Sequence, residues 1–193
     1  MQISSITYMF GSPAWDRTTD TLINSQVQLP LCYWGILNNI MFIDYIDLPT
    51  IPAELLEHPS DIISRGSIPI GNPDKPGFII NPNFSIQRKL INKPLKEWLY
   101  SVFNYKVTAQ YLLLNSNSSI HKDPQTRPQA YNYVIDTGGT DVITTVYDED
   151  KSTVLKSLTI PVKTWYCLDT GRYHGVTGIE ENTWRILLSI DKG

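Results

Sequence analysis

Cysteine is nearly absent from this chain of 193 residues: Cys32 and Cys167 are the only two. They cannot build a disulfide framework, and their separation offers no CxxC zinc spacing. Histidine is almost as scarce, with His58, His121 and His174 alone. Positive charge has no surplus, since 16 Lys+Arg stand against 19 Asp+Glu for a formal net charge of −3. Without a basic field to hold a phosphate backbone, no nucleic-acid partner is expected. Long apolar runs are missing too. None approaches the ~20 residues that span a bilayer, so no membrane partner is expected. The first residues lack the basic start and apolar stretch of a secretory signal. Neither internal repeats nor low-complexity segments occur. These absences lead to the expectation of a soluble, cytoplasmic protein. What is present, 41% hydrophobic and 11% aromatic residues, is ample for a single packed domain.

The first forty residues differ from the rest. They hold no sustained period of two or 3.6, and Asp16, Arg17 and Asp20 are their only charges. The stretch from Trp15 through Asp16-Arg17-Thr18 to Ser25, with Leu31 to Gly35, resembles the peptide made when the strand opposite a tRNA gene is translated. That resemblance implies a non-native segment over 1–40 and a start at Met41. The other reading is an irregular extension that adds an edge strand or wraps the domain.

Residues 41–106 read as helical and loop support. Thr50 followed by Ile51-Pro52-Ala53-Glu54-Leu55-Leu56-Glu57 predicts a short capped helix with a proline in its first turn. His58 would then sit at the C-terminal end of that helix, where a cation or donor suits the carbonyls, and not as a ligand. Residues 64–84 are rich in proline and glycine and read as loop. From Pro94 to Phe103 a helix is predicted, with Leu95, Trp98, Leu99, Val102 and Phe103 on one face. Lys89, Lys93 and Lys96 read as its solvated surroundings.

After Tyr105 the texture changes to short strands separated by turn chemistry. Strands are predicted at Val107–Leu114, Ser119–Lys122, Ala130–Ile135, Val142–Tyr147, Thr153–Ile160, Thr164–Leu168, Tyr173–Thr177 and Thr183–Ile190. Breaks such as Asp136-Thr137-Gly138-Gly139 and Asp169-Thr170-Gly171 divide them. Eight strands at this spacing argue for a mainly β sandwich or barrel, buttressed by helices.

Chemistry concentrates in this β half. In Ile120-His121-Lys122-Asp123 the histidine and the acid are two residues apart, so a strand projects both to one face. One imidazole nitrogen and one carboxylate oxygen can hold adjacent corners of a metal ion. His174, on another predicted strand, can supply a third. Two histidines and a carboxylate on one face of an octahedron leave open positions, the arrangement of non-heme Fe(II) oxygenases. Arg185, one strand further on, can pair bidentately with a carboxylate deep in the barrel. Each residue also has an ordinary reading. His121 can simply bond its neighbouring acid, His174 can donate to a nearby carbonyl, and Arg185 can be a surface strand residue.

As an ordered set these words resemble a known family. Ile120 to Asp123, Ala130 to Ile135, Thr144 to Tyr147, Trp165 to Val176 and Trp184 to Ile190 are similar to the 2-oxoglutarate/Fe(II)-dependent oxygenases, particularly their small phage and marine-bacterial forms. The resemblance implies a double-stranded β-helix (a cupin-like jelly roll) over 107–193. It implies His121, Asp123 and His174 as catalytic iron ligands, with Fe(II) and 2-oxoglutarate as cofactor and co-substrate. Arg185 would bind the distal carboxylate of 2-oxoglutarate, and Asn132 would face inward near it. Many members place Ser or Thr two residues after that arginine; here Leu187 stands there, and Ser189, on the same strand face, can substitute. The implied reaction hydroxylates a small-molecule or peptide substrate and releases succinate and CO₂.

Arg127 and Arg172 are candidate holders of an acidic group on the substrate, with solvent exposure as the alternative. Cys167, between apolar neighbours, reads as a core residue with no histidine placed to activate it. Gly138-Gly139 is a turn, because no helix or Lys-Ser/Thr follows. Two other functions stay open on sequence. One is a non-catalytic cupin-like metal or ligand binder, or a phage structural jelly roll. The other is a hydrolytic or isomerising cupin using another divalent metal.

Overall fold

A computed structural model describes residues 42–65, 86–103, 107–123 and 128–191. Residues 1–41, including the expected start at Met41, lie outside the described residues, as do Arg127 and nearly all of the loop read over 64–84. Ten strands run through the described residues: β1 (Ile43–Tyr45), β2 (Ile86–Leu90), β3 (Thr108–Leu114), β4 (Ser118–His121) and β5 (Gln129–Asp136) come first. β6 (Ile143–Tyr147), β7 (Val154–Thr159), β8 (Trp165–Asp169), β9 (Tyr173–Thr177) and β10 (Arg185–Asp191) follow. All eight strands expected after Tyr105 are among them, with ends shifted by a residue or two. The fold is mainly β.

The strands form two antiparallel sheets. One has six strands in the order β1-β8-β5-β10-β3-β2, and the other has four in the order β4-β9-β6-β7. Alternation along each strand divides the six-stranded sheet into two faces. Tyr111, Leu113, Tyr131, Tyr133, Trp165, Cys167, Ile186, Leu188 and Ile190 pack on the face covered by helices. Leu112, Asn132, Tyr166, Leu168, Leu187 and Ser189 turn the other way and line a cleft shared with the four-stranded sheet. Asn132 therefore faces inward, and its neighbours Tyr131 and Tyr133 belong to the helix-side core.

Two α-helices cover the outer face: α1 (Pro59–Ser64) and α2 (Lys93–Phe103). α2 starts where Asn92 Oδ1 accepts the Leu95 N–H at 2.8 Å, satisfying a donor of the open first turn. Its Leu95, Leu99 and Phe103, at helical spacing, are buried against the sheet. Phe103 meets Trp165 edge-on at 6.2 Å between ring centroids. Such a pair contributes about 0.5–1.5 kcal/mol beyond the area it buries.

Two expectations in the support region are corrected. The helix expected over 51–57 is only a 3₁₀ turn, Ala53–Leu55, and His58 opens α1 instead of closing a helix. Its Nδ1 accepts the Ser60 N–H at 3.3 Å. Pro59 decides the matter: lacking an N–H, it suits the first helical position, so the helix begins where His58 was expected to end one. Lys89 is not solvated. It is 2% exposed, and its Nζ donates to the carbonyls of Ile63 (2.8 Å) and Arg65, at the C-terminal end of α1. Burial, and secondarily the Arg65 cation, lower its pKa from the usual lysine value.

Candidate metal centre and its cleft

β4 is antiparallel to β9, and His121 stands directly opposite His174 in that register. Opposed residues in an antiparallel pair share a face, so the two rings meet with centroids 4.4 Å apart. Asp123 follows on the same side, just beyond the end of β4. Its backbone N–H donates to the Thr170 carbonyl at 3.0 Å, tying this segment to the chain just before β9. His121 Nε2 lies 3.8 Å from Asp123 Oδ1. One donor atom from each of His121, Asp123 and His174 can be chosen so that all lie within 4.8 Å of one another.

The histidine tautomers follow from their backbone partners. His121 Nδ1 is 2.7 Å from the Ser119 carbonyl, and His174 Nδ1 is 2.9 Å from the Arg172 carbonyl. A carbonyl only accepts, so each Nδ1 carries a proton, which makes Nε2 the nitrogen of each ring that can ligate a metal. Metal-binding histidines are oriented in this way by their outer nitrogen. Two imidazoles and a carboxylate make a donor set suited to a first-row divalent ion.

Behind the triad, Arg185 at the start of β10 is fully enclosed. Its Nη2 donates to Thr144 Oγ1 at 3.0 Å, while Nε and Nη1 have no partner among the described residues. Thr144 lines the cleft, and Arg185 meets that lining through its bond to Thr144. The Arg185 backbone is held by the β5–β6 turn. Gly138, at φ +74°, lies so close that a Cβ there would come within 2.6 Å of the Arg185 nitrogen. Ser189 and Asn132 are register partners on β10 and β5, and Ser189 Oγ donates to Asn132 Oδ1 at 2.7 Å in the cleft wall.

Arg172 is placed elsewhere. It pairs with Asp169 at 3.4 Å and lies over the Phe42 ring at 4.9 Å, and it is not among the cleft-lining side chains. Cys167 is buried on the helix side, and burial, aided by the Asp169 and Asp44 carboxylates, pushes its thiol up to about 12. It is no nucleophile at neutral pH.

One cleft residue escapes the sequence reading. Arg88 projects from β2 beside Ile86, Leu112 and Leu114, in the same cleft as the triad. The run Ile86-Gln87-Arg88-Lys89-Leu90 has charge on both faces, so its polarity masks a strand. The available signal was its period of two, which sets Ile86 and Arg88 on one side and Lys89 on the other. The chain matches no family model, and no curated protein matches it.

Proposed function

We propose that the protein is an Fe(II)- and 2-oxoglutarate-dependent oxygenase that hydroxylates a small-molecule or peptide substrate. The observation that carries this reading is the donor set of His121, Asp123 and His174, which offers one ligand atom from each residue within 4.8 Å of the others, with both histidine Nδ1 atoms turned to backbone carbonyls. Such a donor set, in the lining of the cleft, is one that can hold a divalent cation.

Two further observations support it. From β3 to β10, the strands are distributed between sheets as β8-β5-β10-β3 and β4-β9-β6-β7, the alternation expected of a double-stranded β-helix. The enclosed Arg185 guanidinium has two nitrogens without partners. A buried cation left so is costly and is relieved by a carboxylate. In this reading Arg185 holds the distal carboxylate of 2-oxoglutarate, Thr144 orients the guanidinium, and Ser189 with Asn132 forms the polar wall beside it. Apolar side chains such as Leu112, Leu187 and Val176 keep bulk water from the site. When bound, Fe(II) supplies the activation of O₂ that couples conversion of 2-oxoglutarate to succinate and CO₂ with oxidation of the substrate.

The test is succinate formation from 2-oxoglutarate with Fe(II), comparing the full chain with His174→Ala. Turnover in the wild type alone is expected. Equal turnover in both would overturn the assignment. Triad-dependent metal binding with no succinate would instead favour the cupin-like binder.

A further inference from the structure

Arg88 is a half-buried cation with no ion-pair partner among the described residues. Its Nε is shielded from solvent without a hydrogen-bond partner among them. Apart from the two triad histidines, it is the one basic side chain among the described residues lining the cleft. The acid in that lining, Asp123, lies with the histidines. The nearest walls, Ile86, Leu112 and Leu114, are hydrocarbon.

A charged group in such surroundings is stabilised when a ligand brings the opposite charge. Resting on the oxygenase reading above, we propose that Arg88 is the substrate-recognition residue of the cleft and that the substrate is a carboxylate carried on a largely apolar body. The guanidinium fork matches a carboxylate bidentately. One negative charge balances one cation, whereas a phosphate monoester brings about −1.5 to −2 and would leave charge uncompensated in an apolar wall.

Arg88 and Arg185 serve different anions. Arg88 pairs with Leu112 of β3, which pairs with Leu187 of β10, whereas Arg185 pairs with Leu114 and, through it, Ile86. β3 lies between the two arginine strands, so their backbones stand roughly 10 Å apart across the sheet. Arg185 is fully buried against Thr144, while Arg88 is half-buried in the cleft lining. The arrangement puts a buried cation beside Thr144 for the co-substrate and a second cation in the cleft lining, two strands away, for the molecule being oxidised.

The test uses the full chain in calorimetric titrations with hexanoate, hexanamide and inorganic phosphate. It is run on protein without additions and on protein loaded with Mn(II) and 2-oxoglutarate, for the wild type, Arg88→Met and Arg88→Lys. Thermal unfolding checks that both variants fold, and Arg88→Lys keeps the charge should Arg88→Met be unstable. Hexanoate affinity is expected to fall at least tenfold in Arg88→Met and to be partly kept in Arg88→Lys. Hexanamide and phosphate should bind more weakly than hexanoate, and 2-oxoglutarate affinity should stay within twofold of wild type. No hexanoate binding by the wild type, equal binding by Arg88→Met, tighter phosphate binding, or loss of 2-oxoglutarate binding in Arg88→Met would each overturn the proposal. Arg88-dependent hexanoate binding by a protein that takes up no 2-oxoglutarate would keep the carboxylate site and remove the oxygenase reading.

Discussion

His121 and His174 occupy one rung of the β4–β9 ladder, and each donates its Nδ1–H to the carbonyl two residues before it. Two residues far apart in the chain thus present like atoms to one point, with Asp123 beside them. A divalent ion that binds there stabilises the folded state by mass action. At a hundred times its dissociation constant, that amounts to about 2.7 kcal/mol. Thermal unfolding with Mn(II) should show this gain in the wild type. His121→Ala, Asp123→Ala and His174→Ala should each lack it, and a gain that persists in all three would remove the triad as the site.

Arg185 gives a prediction of opposite sign for the protein without ligands. Among the described residues its enclosed guanidinium has a single side-chain partner, Thr144, and replacing a poorly compensated buried charge with an apolar side chain is often neutral or stabilising by about 1–4 kcal/mol. Arg185→Met should therefore be at least as stable as the wild type in denaturant titrations, yet gain nothing from added 2-oxoglutarate. Clear destabilisation would show that the arginine serves the fold.

Gly138 should tolerate no side chain. Its φ of +74° is a backbone conformation that L residues rarely adopt, and a Cβ would press against the Arg185 main chain at 2.6 Å. Backbone strain and contact together predict that Gly138→Ala loses more than about 2 kcal/mol. The urea midpoint measures this directly, and a change below about 0.5 kcal/mol would contradict the close packing.

Alkaline pH should weaken the fold through three buried groups, one of them the Tyr133 phenol, whose pKa burial also raises. Burial raises the Cys167 thiol from 9.0 to about 12, and the Tyr111 phenol from 10.0 to about 12. The folded chain keeps protons that the unfolded chain releases, so this stability is complete below about pH 9 and is lost as pH rises toward 12. Urea midpoints between pH 8 and 11 should fall progressively. Cys167→Ala should flatten the fall above pH 9, relative to its own value at pH 8.

The β half is legible in sequence because two signals coincide there: period-two apolar patterning and turns made by residues such as Asp136, Gly138 and Gly171. His121, Asp123 and His174 could be named because strand geometry fixes which side chains share a face. The support region gives no such agreement. β1 has only three residues, too few for a period, and β2 carries Arg88 and Lys89 on opposite faces, the first half-buried and the second enclosed by neighbours distant in the chain. The exchange of Lys89 from solvent to helix cap has the same origin. Local sequence does not say that the carbonyls of Ile63 and Arg65 will arrive beside it.

β4 is the edge strand of its sheet, four residues long and bonded to β9 alone among the described strands. It is therefore a short edge open to peeling, and it carries His121 with Asp123 just past its end. An ion gripping those two residues and His174 acts as a clasp across that seam. Filling the centre and fastening the edge are then one event, visible as slowed hydrogen exchange along β4 while the helix-side core stays unchanged.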